Sequence, residues 1–292
     1  MYRTALIAAA LIAAALPIAG AALGQPDPVG DRVEVNGIEM YYEVSGEGDP
    51  LIVLHGSAMN IPMMGEIIPK LAETSKVHAL ELQGHGRSTD IDRPITYPNL
   101  ADDIAAFMDA VGLRKANVFG YSMGAMAGLQ LTIRHPEKVD RLIFVSGVYD
   151  FEGWQPAFKE FIPQATAEMF EVPVLMEEHR RLSPNPDGFA ALAEKLIQLE
   201  KEPLNWEADV KALKTPVLII TGDADGATLE HSLAFFRLLG GGVMGGMGEP
   251  LPQSRLAVMP ATSHTAAITQ AELLAAFIEP FLKGETPKGM FE

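Results

Sequence analysis

The sequence predicts an α/β protein with a mostly parallel, eight-stranded sheet covered by helices on both faces. Two patterns lead to this fold. Short apolar runs read as strands at 51–54, 77–82, 116–119, 141–145, 217–221 and 255–259, and helical segments at 97–111, 122–135, 229–239 and 270–282 fall between or after them. Strands that alternate with helices are expected to return to the sheet in parallel. Ahead of them, the alternating stretch 31–44 has Asn36-Gly37 at its centre, the signature of a β-hairpin that adds two further strands.

Along the chain, the first segment stands apart. A short basic start at Arg3 precedes an unbroken alanine-rich apolar run over 5–22, and small residues at Ala22 and Gly24 come before Gln25-Pro26. These three regions are those of a secretory signal peptide over 1–24, with cleavage after Gly24 and export to a bacterial periplasm or medium expected. The competing reading is a retained anchor, because the run meets the lower limit for spanning a bilayer. The remaining 25–148 and 214–292 read as one α/β unit. Between them, over 149–213, the alternation stops: 154–177 and 189–200 read as helices interrupted at Pro173 and at Ser183-Pro184-Asn185-Pro186.

Composition narrows the function. The 292 residues hold 22 Lys and Arg against 38 Asp and Glu, a formal net charge of −16. Phosphate backbones require basic surfaces, so nucleic acid is not an expected partner. There is no cysteine, which excludes disulfides, thiolate metal sites and a cysteine nucleophile. No metal-ligand spacing is visible and no cofactor is expected. The glycine-rich stretch 240–248 has no strand leading into it and no helix after it, so it reads as a surface loop rather than a phosphate cradle. Met59, Met63, Met64, Met123 and Met126 cluster in sequence near the loops discussed next; they read as gap-filling core or as a soft apolar pocket.

The most informative stretch is Gly120-Tyr121-Ser122-Met123-Gly124, between the strand at 116–119 and a helix over 125–133. A Gly-x-Ser-x-Gly at a strand-to-helix turn describes a nucleophile elbow, in which a strained turn lifts the serine hydroxyl out of the sheet. The flanking glycines allow strand and helix to pack without side chains between them. The helix presents its free N–H groups and positive end to developing negative charge. By itself the pentapeptide also fits an ordinary β–α turn with a capping serine.

A serine hydroxyl needs a base to take its proton and a third group to orient that base. Both should lie downstream, after strand ends. The strand at 217–221 runs into Gly222-Asp223-Ala224-Asp225-Gly226, and the strand at 255–259 runs into Pro260-Ala261-Thr262-Ser263-His264. A carboxylate and the His264 imidazole are thereby placed at the sheet's carboxyl rim, where ligands bind in such folds. Two backbone N–H groups are expected to receive the oxyanion: that of Met123, after the nucleophile, and that of Ser57, in the loop following the strand at 51–54.

With His55-Gly56, Gly84-His85-Gly86-Arg87-Ser88, the elbow at Ser122, Gly222-Asp223-Ala224-Asp225 and His264, the chain resembles a serine hydrolase of the α/β-hydrolase superfamily over about 33–281. The resemblance implies that Asp225, the second aspartate of Gly-Asp-x-Asp, is the triad acid, with Asp223 as the alternative. It implies that 149–213 forms an inserted helical cap, and that a small-molecule carboxylic ester is cleaved through an acyl-enzyme by Ser122, His264 and Asp225. Activity should then fall on acidification as His264 takes up a proton. Glu81 departs from the family pattern, which often has Asp there. Serine at 122 disfavours epoxide and haloalkane hydrolysis, which use a carboxylate nucleophile. Perhydrolysis, carbon–carbon bond hydrolysis, peptidase activity and a slow-turnover ligand sensor remain compatible with the same residues.

Overall fold

Asn36 and Gly37 take φ angles of 48° and 85°, the pair of positive values that a two-residue turn needs to match the twist of its strands. They join β1 (Val29–Val35) to β2 (Ile38–Ser45) as an antiparallel hairpin. The computed structural model describes residues 29–245 and 251–286. The expected signal segment 1–24 and part of the glycine-rich stretch lie outside the described residues.

Six further strands follow: β3 (Pro50–Leu54), β4 (Lys76–Leu80), β5 (Ala116–Tyr121), β6 (Val139–Val145), β7 (Val217–Ala224) and β8 (Arg255–Ser263). The sheet order is β1-β2-β4-β3-β5-β6-β7-β8. Only β1–β2 and β2–β4 are antiparallel; β4, β3, β5, β6, β7 and β8 run parallel. The eight-stranded, mostly parallel sheet expected from the sequence is therefore the sheet observed.

Both faces of the sheet are covered, and alternate residues of single strands go to opposite layers. Leu51 and Val53 of β3 pack with α1 (Ile67–Ala72) and α9 (Ala271–Leu282), whereas Ile52 and Leu54 face the layer formed by α2 (Tyr97–Ala110), α3 (Met123–Arg134) and α8 (Leu229–Leu238). Each fully buried aliphatic side chain contributes about 1.5–3 kcal/mol, so this double layer fixes the strand ends that hold the loops at the rim. Met64, Met123 and Met126 are buried in these two layers, which makes them core residues.

Between β6 and β7 the chain forms α4 (Pro156–Phe161), α5 (Pro173–Leu182), α6 (Phe189–Glu200) and α7 (Glu207–Ala212), with short 3-10 turns at Phe151–Gly153, Ile162–Gln164 and Ala167–Phe170. The single helix expected over 154–177 is thus divided. Pro156, Pro163 and Pro173 each sit in the first turn of a new piece, where a missing N–H costs nothing and the fixed φ suits helix entry. Pro173 begins a helix instead of breaking one.

The two ends of this segment are clasped together. Phe151 N–H donates to Leu204 O at 3.0 Å and Trp206 N–H to Tyr149 O at 2.9 Å. It is also tied to the loop after β7, through Gln155 N–H to Gly226 O at 2.8 Å and Thr228 N–H to Gly153 O at 2.8 Å. Toward the other side of the rim, Lys195 of α6 donates to both carboxylate oxygens of Asp90, and Asn60 donates to Glu178 of α5. Among the described residues no helix is long and apolar enough to cross a membrane.

Candidate active site

Ser122 has φ 54° and ψ −120°, outside the helical region, a conformation that costs a non-glycine residue about 1–3 kcal/mol. The surroundings hold it there. Its N–H donates to Val145 O at 2.9 Å, and its carbonyl accepts from Ala125 N–H at 2.9 Å and Met126 N–H at 3.1 Å. Helix α3 therefore begins at Met123, one residue later than the sequence suggested. The flanking glycines are required by contact: a Cβ on Gly120 would lie 2.3 Å from Gly124 O, and one on Gly124 would lie 2.4 Å from Leu54 O.

Across the rim, Ser122 Oγ lies 3.0 Å from His264 Nε2, and His264 Nδ1 lies 2.7 Å from Asp225 Oδ1. His264 and Asp225 are buried. Burial alone would raise the Asp225 carboxyl; the His264 charge and hydrogen bonds from His264, Ser146 and Gly222 outweigh it and bring the pKa down to about 2. An ionised carboxylate only accepts, so Nδ1 carries the imidazole proton and Nε2 is left to accept the Ser122 hydroxyl.

Asp223 is placed elsewhere. It is exposed and accepts from Ala261 N–H at 2.9 Å and Thr262 N–H at 3.0 Å, bracing the turn that leads into His264. Asp225 is the carboxylate brought to the imidazole.

The Met123 N–H stands at the start of α3, where no intrahelical acceptor exists; neither it nor the Ser57 N–H has an acceptor among the described residues. The close approach of Gly124 to the Leu54 and His55 carbonyls brings the helix start against the 55–58 loop. That loop is held from below. Ala58, at φ 56°, donates its N–H to His85 Nε2 at 3.2 Å, and His85 Nδ1 donates to Gln83 O at 2.9 Å. His55 Nδ1 donates to Gly56 O at 2.8 Å while Nε2 accepts from Leu82 N–H at 3.1 Å. Desolvation holds both imidazoles neutral, with His55 down to about 3 and His85 to about 4, so both keep their acceptor nitrogens. Glu81, fully buried, accepts from Ile61 N–H and Arg87 and closes the same network.

Three contributors were not singled out in the sequence. Ser146 donates to Asp225 Oδ2 at 2.6 Å. Tyr121 donates its hydroxyl to the His264 carbonyl at 3.0 Å, and the Trp154 ring stands 6.3 Å from the imidazole. Ser146 does have a readable signal, being the first polar residue after the apolar strand at 141–145. The other histidines have separate places. His135 pairs with Asp102, His179 with the Asn185 carbonyl, and His231 stacks on Tyr149.

A model described as the alpha/beta hydrolase fold matches residues 49–172, from β3 through the elbow and past α4 to the residue before α5. The chain has the α/β-hydrolase fold, and this part of it matches that family. It is similar to a pimeloyl-[acyl-carrier protein] methyl ester esterase of Neisseria meningitidis serogroup B, 27% identical over 259 residues, covering 80% of this chain and 92% of that one. Among solved structures, carboxylesterase CesB from Bacillus subtilis superposes with a TM-score of 0.69 at 17% identity, covering 98% of each chain. A meta-cleavage product hydrolase from Pseudomonas fluorescens IP01 superposes with a TM-score of 0.64 at 20% identity, covering 87% of this chain and 98% of that one. At these identities the structural likenesses establish the fold alone.

Proposed function

We propose that this α/β-hydrolase cleaves carboxylic esters through an acyl-enzyme on Ser122. The single observation that supports this most is the unbroken run from Ser122 Oγ through His264 to Asp225, with contacts of 3.0 and 2.7 Å. The esterase likeness supports the same reaction class.

The Ser122 oxygen attacks the ester carbonyl carbon as its proton passes to His264 Nε2. Asp225 balances the resulting imidazolium without itself being protonated. The carbonyl oxygen, now an oxyanion, is received by the Met123 and Ser57 N–H groups; losing one such donor typically costs about 3–4 kcal/mol of barrier. The C–O bond to the alcohol breaks, and the leaving oxygen takes the proton from Nε2. Water then attacks the acyl carbon with His264 again as base, releasing the acid and restoring Ser122. Over this site the helical segment 149–213 acts as a cap that limits water access and shapes the substrate pocket.

Turnover of p-nitrophenyl acetate and labelling by a fluorophosphonate test the assignment. Both should be lost in Ser122→Ala, with kcat down by roughly 10⁴-fold or more. Labelling that persists in Ser122→Ala would refute it. The pattern over 1–24 supports export; a mature N-terminus at Gln25 in the periplasmic or extracellular fraction is expected, and an intact Met1 there would count against cleavage.

A further inference from the structure

Tyr121 is the last residue of β5 and stands directly before the nucleophile; its side chain is buried. That side chain touches two other parts of the site. The hydroxyl donates to the His264 carbonyl at 3.0 Å, and the phenol ring lies beside the imidazole, with centroids 5.5 Å apart and planes inclined by 35°. The same ring rests on Gly56, where a Cβ would stand 3.2 Å from two of its carbons. Gly56 precedes Ser57, whose N–H the proposed reaction uses for the oxyanion.

His264 needs such a hold. It opens a single helical turn, His264–Ala267, and one turn is unstable by itself because too few hydrogen bonds offset the ordering of its backbone. Asp223 braces the N–H groups of Ala261 and Thr262, ahead of it in the chain. Asp225 holds Nδ1, at the far end of the side chain. Among the described residues, no side chain other than Tyr121 bonds the backbone of residue 264. Proton transfer requires the base about 2.6–3.2 Å from the oxygen it serves, and the observed 3.0 Å leaves little slack. Tyr121 and Ser122 are joined by one peptide bond, so the group that holds the base moves with the nucleophile. Burial, with the Asp225 charge adding to it, raises the phenol pKa further above its usual range, which keeps the hydroxyl a donor.

We infer that Tyr121 is a positioning residue for ester cleavage: its hydroxyl fixes the His264 backbone at the height from which Nε2 reaches Ser122 Oγ. This rests on the ester-hydrolase reading of Ser122 and adds a residue to the same machinery.

Tyr121→Phe isolates the hydroxyl, because the ring keeps its seat on Gly56 and beside the imidazole. Its kcat on p-nitrophenyl acetate should fall by roughly 10–100-fold, since misplacement by about 1 Å costs about 100-fold, with KM within about twofold of the native value. The nitrogen chemical shift of His264 Nε2 reports the contact with Ser122 without turnover. Read at about pH 8.5, where an ordinary imidazole is neutral, it should move in Tyr121→Phe toward its value in Ser122→Ala, which has no hydroxyl to donate. A hydroxyl with a merely structural role would lower Tm and leave both kcat and the Nε2 shift in place, and that result overturns the proposal. A fall in kcat with an unmoved Nε2 shift overturns it too, because the loss would not pass through His264. If the native chain and Ser122→Ala share one Nε2 shift, the contact itself is absent, and the reading of Ser122 falls together with this proposal. If Tyr121→Phe does not fold, 4-fluorophenylalanine in place of Tyr121 fills the hydroxyl's space without donating, and the same two readouts decide.

Discussion

Ser146 Oγ donates to Asp225 Oδ2 at 2.6 Å, which leaves Oδ1 for His264 at 2.7 Å. Ser146 is itself held at φ 56°, with its N–H on Ile220 O at 2.9 Å. The carboxylate plane is therefore fixed from the β6 side before the imidazole meets it. Thr221 Oγ1 and Gly222 N–H reach the same oxygen only at 3.4 and 3.3 Å.

Ser146→Ala should lower kcat on p-nitrophenyl acetate by roughly 10–100-fold with little change in KM. Hydrogen bonds to charged groups contribute about 1.5–3 kcal/mol, and the weaker Thr221 and Gly222 donors compensate only in part. Ser146→Thr, which keeps a hydroxyl, should retain more activity than the alanine variant. A kcat within twofold of the native value in Ser146→Ala would show that Asp225 is oriented without it.

The close approach of α3 to β3 makes a second prediction. A Cβ on Gly124 would meet Leu54 O at 2.4 Å and His55 O at 2.6 Å, both backbone atoms that cannot turn aside. Gly124→Ala should lower Tm by roughly 5–10 °C, as expected for about 3 kcal/mol of overpacking in a chain of this size. Fluorophosphonate labelling of Ser122 should slow as the helix start moves. Gly112→Ala is the control: its φ of 76° strains an alanine, but no atom lies within 4 Å. It should cost about 1 kcal/mol and leave labelling unaltered.

Much of this site was legible because each part follows a short apolar strand. Ser122, Asp225 and His264 come directly after β5, near the end of β7 and at the end of β8, so chain order and strand ends sufficed to propose that they meet. Choosing Asp225 over Asp223 needed the family resemblance, since two carboxylates two residues apart differ only in which loop atoms they contact. The pieces between β6 and β7 were less legible. A proline in an apolar stretch can end a helix or begin one, and at Pro173 only the packing of the neighbouring turns decides.

Lys195 fastens the helical segment to the sheet side of the rim. Its Nζ donates to Asp90 Oδ1 and Oδ2 at 2.9 and 2.8 Å and to Ile91 O at 2.6 Å, with less than a third of either charged side chain exposed. Lys195→Ala removes all three contacts but leaves the apolar face of α6, including Leu192 and Leu196, in the core. Loss of about 1 kcal/mol is expected, confined to α6 and its neighbours. Amide exchange in α6 should speed up roughly fivefold while the sheet amides stay unchanged. Equal acceleration in both would show that the segment opens only with the whole molecule.

His78 sits in the middle of β4 with 6% of its surface exposed. Neither ring nitrogen has a hydrogen-bond partner, and its edge contact is to the Phe107 ring at 6.4 Å. Desolvation, with Lys76 adding to it, lowers its pKa from 6.5 to about 4. The folded chain thus resists a proton that the unfolded chain accepts. The stability from a neutral His78 is fully present above pH 6.5 and is lost progressively as pH falls from 6.5 toward 4. By pH 5 this amounts to about 2 kcal/mol. His55, His85 and His231 shift in the same direction, so the native chain should weaken steadily on acidification. His78→Leu fills a similar space without burying two unpaired nitrogens. It should be at least as stable as the native chain at pH 7.5, and between pH 7.5 and 5 should lose about 2 kcal/mol less in urea unfolding. Parallel losses in the two proteins would mean that His78 finds a hydrogen-bond partner, and the neutral imidazole would then have no part in the acid limit of the fold.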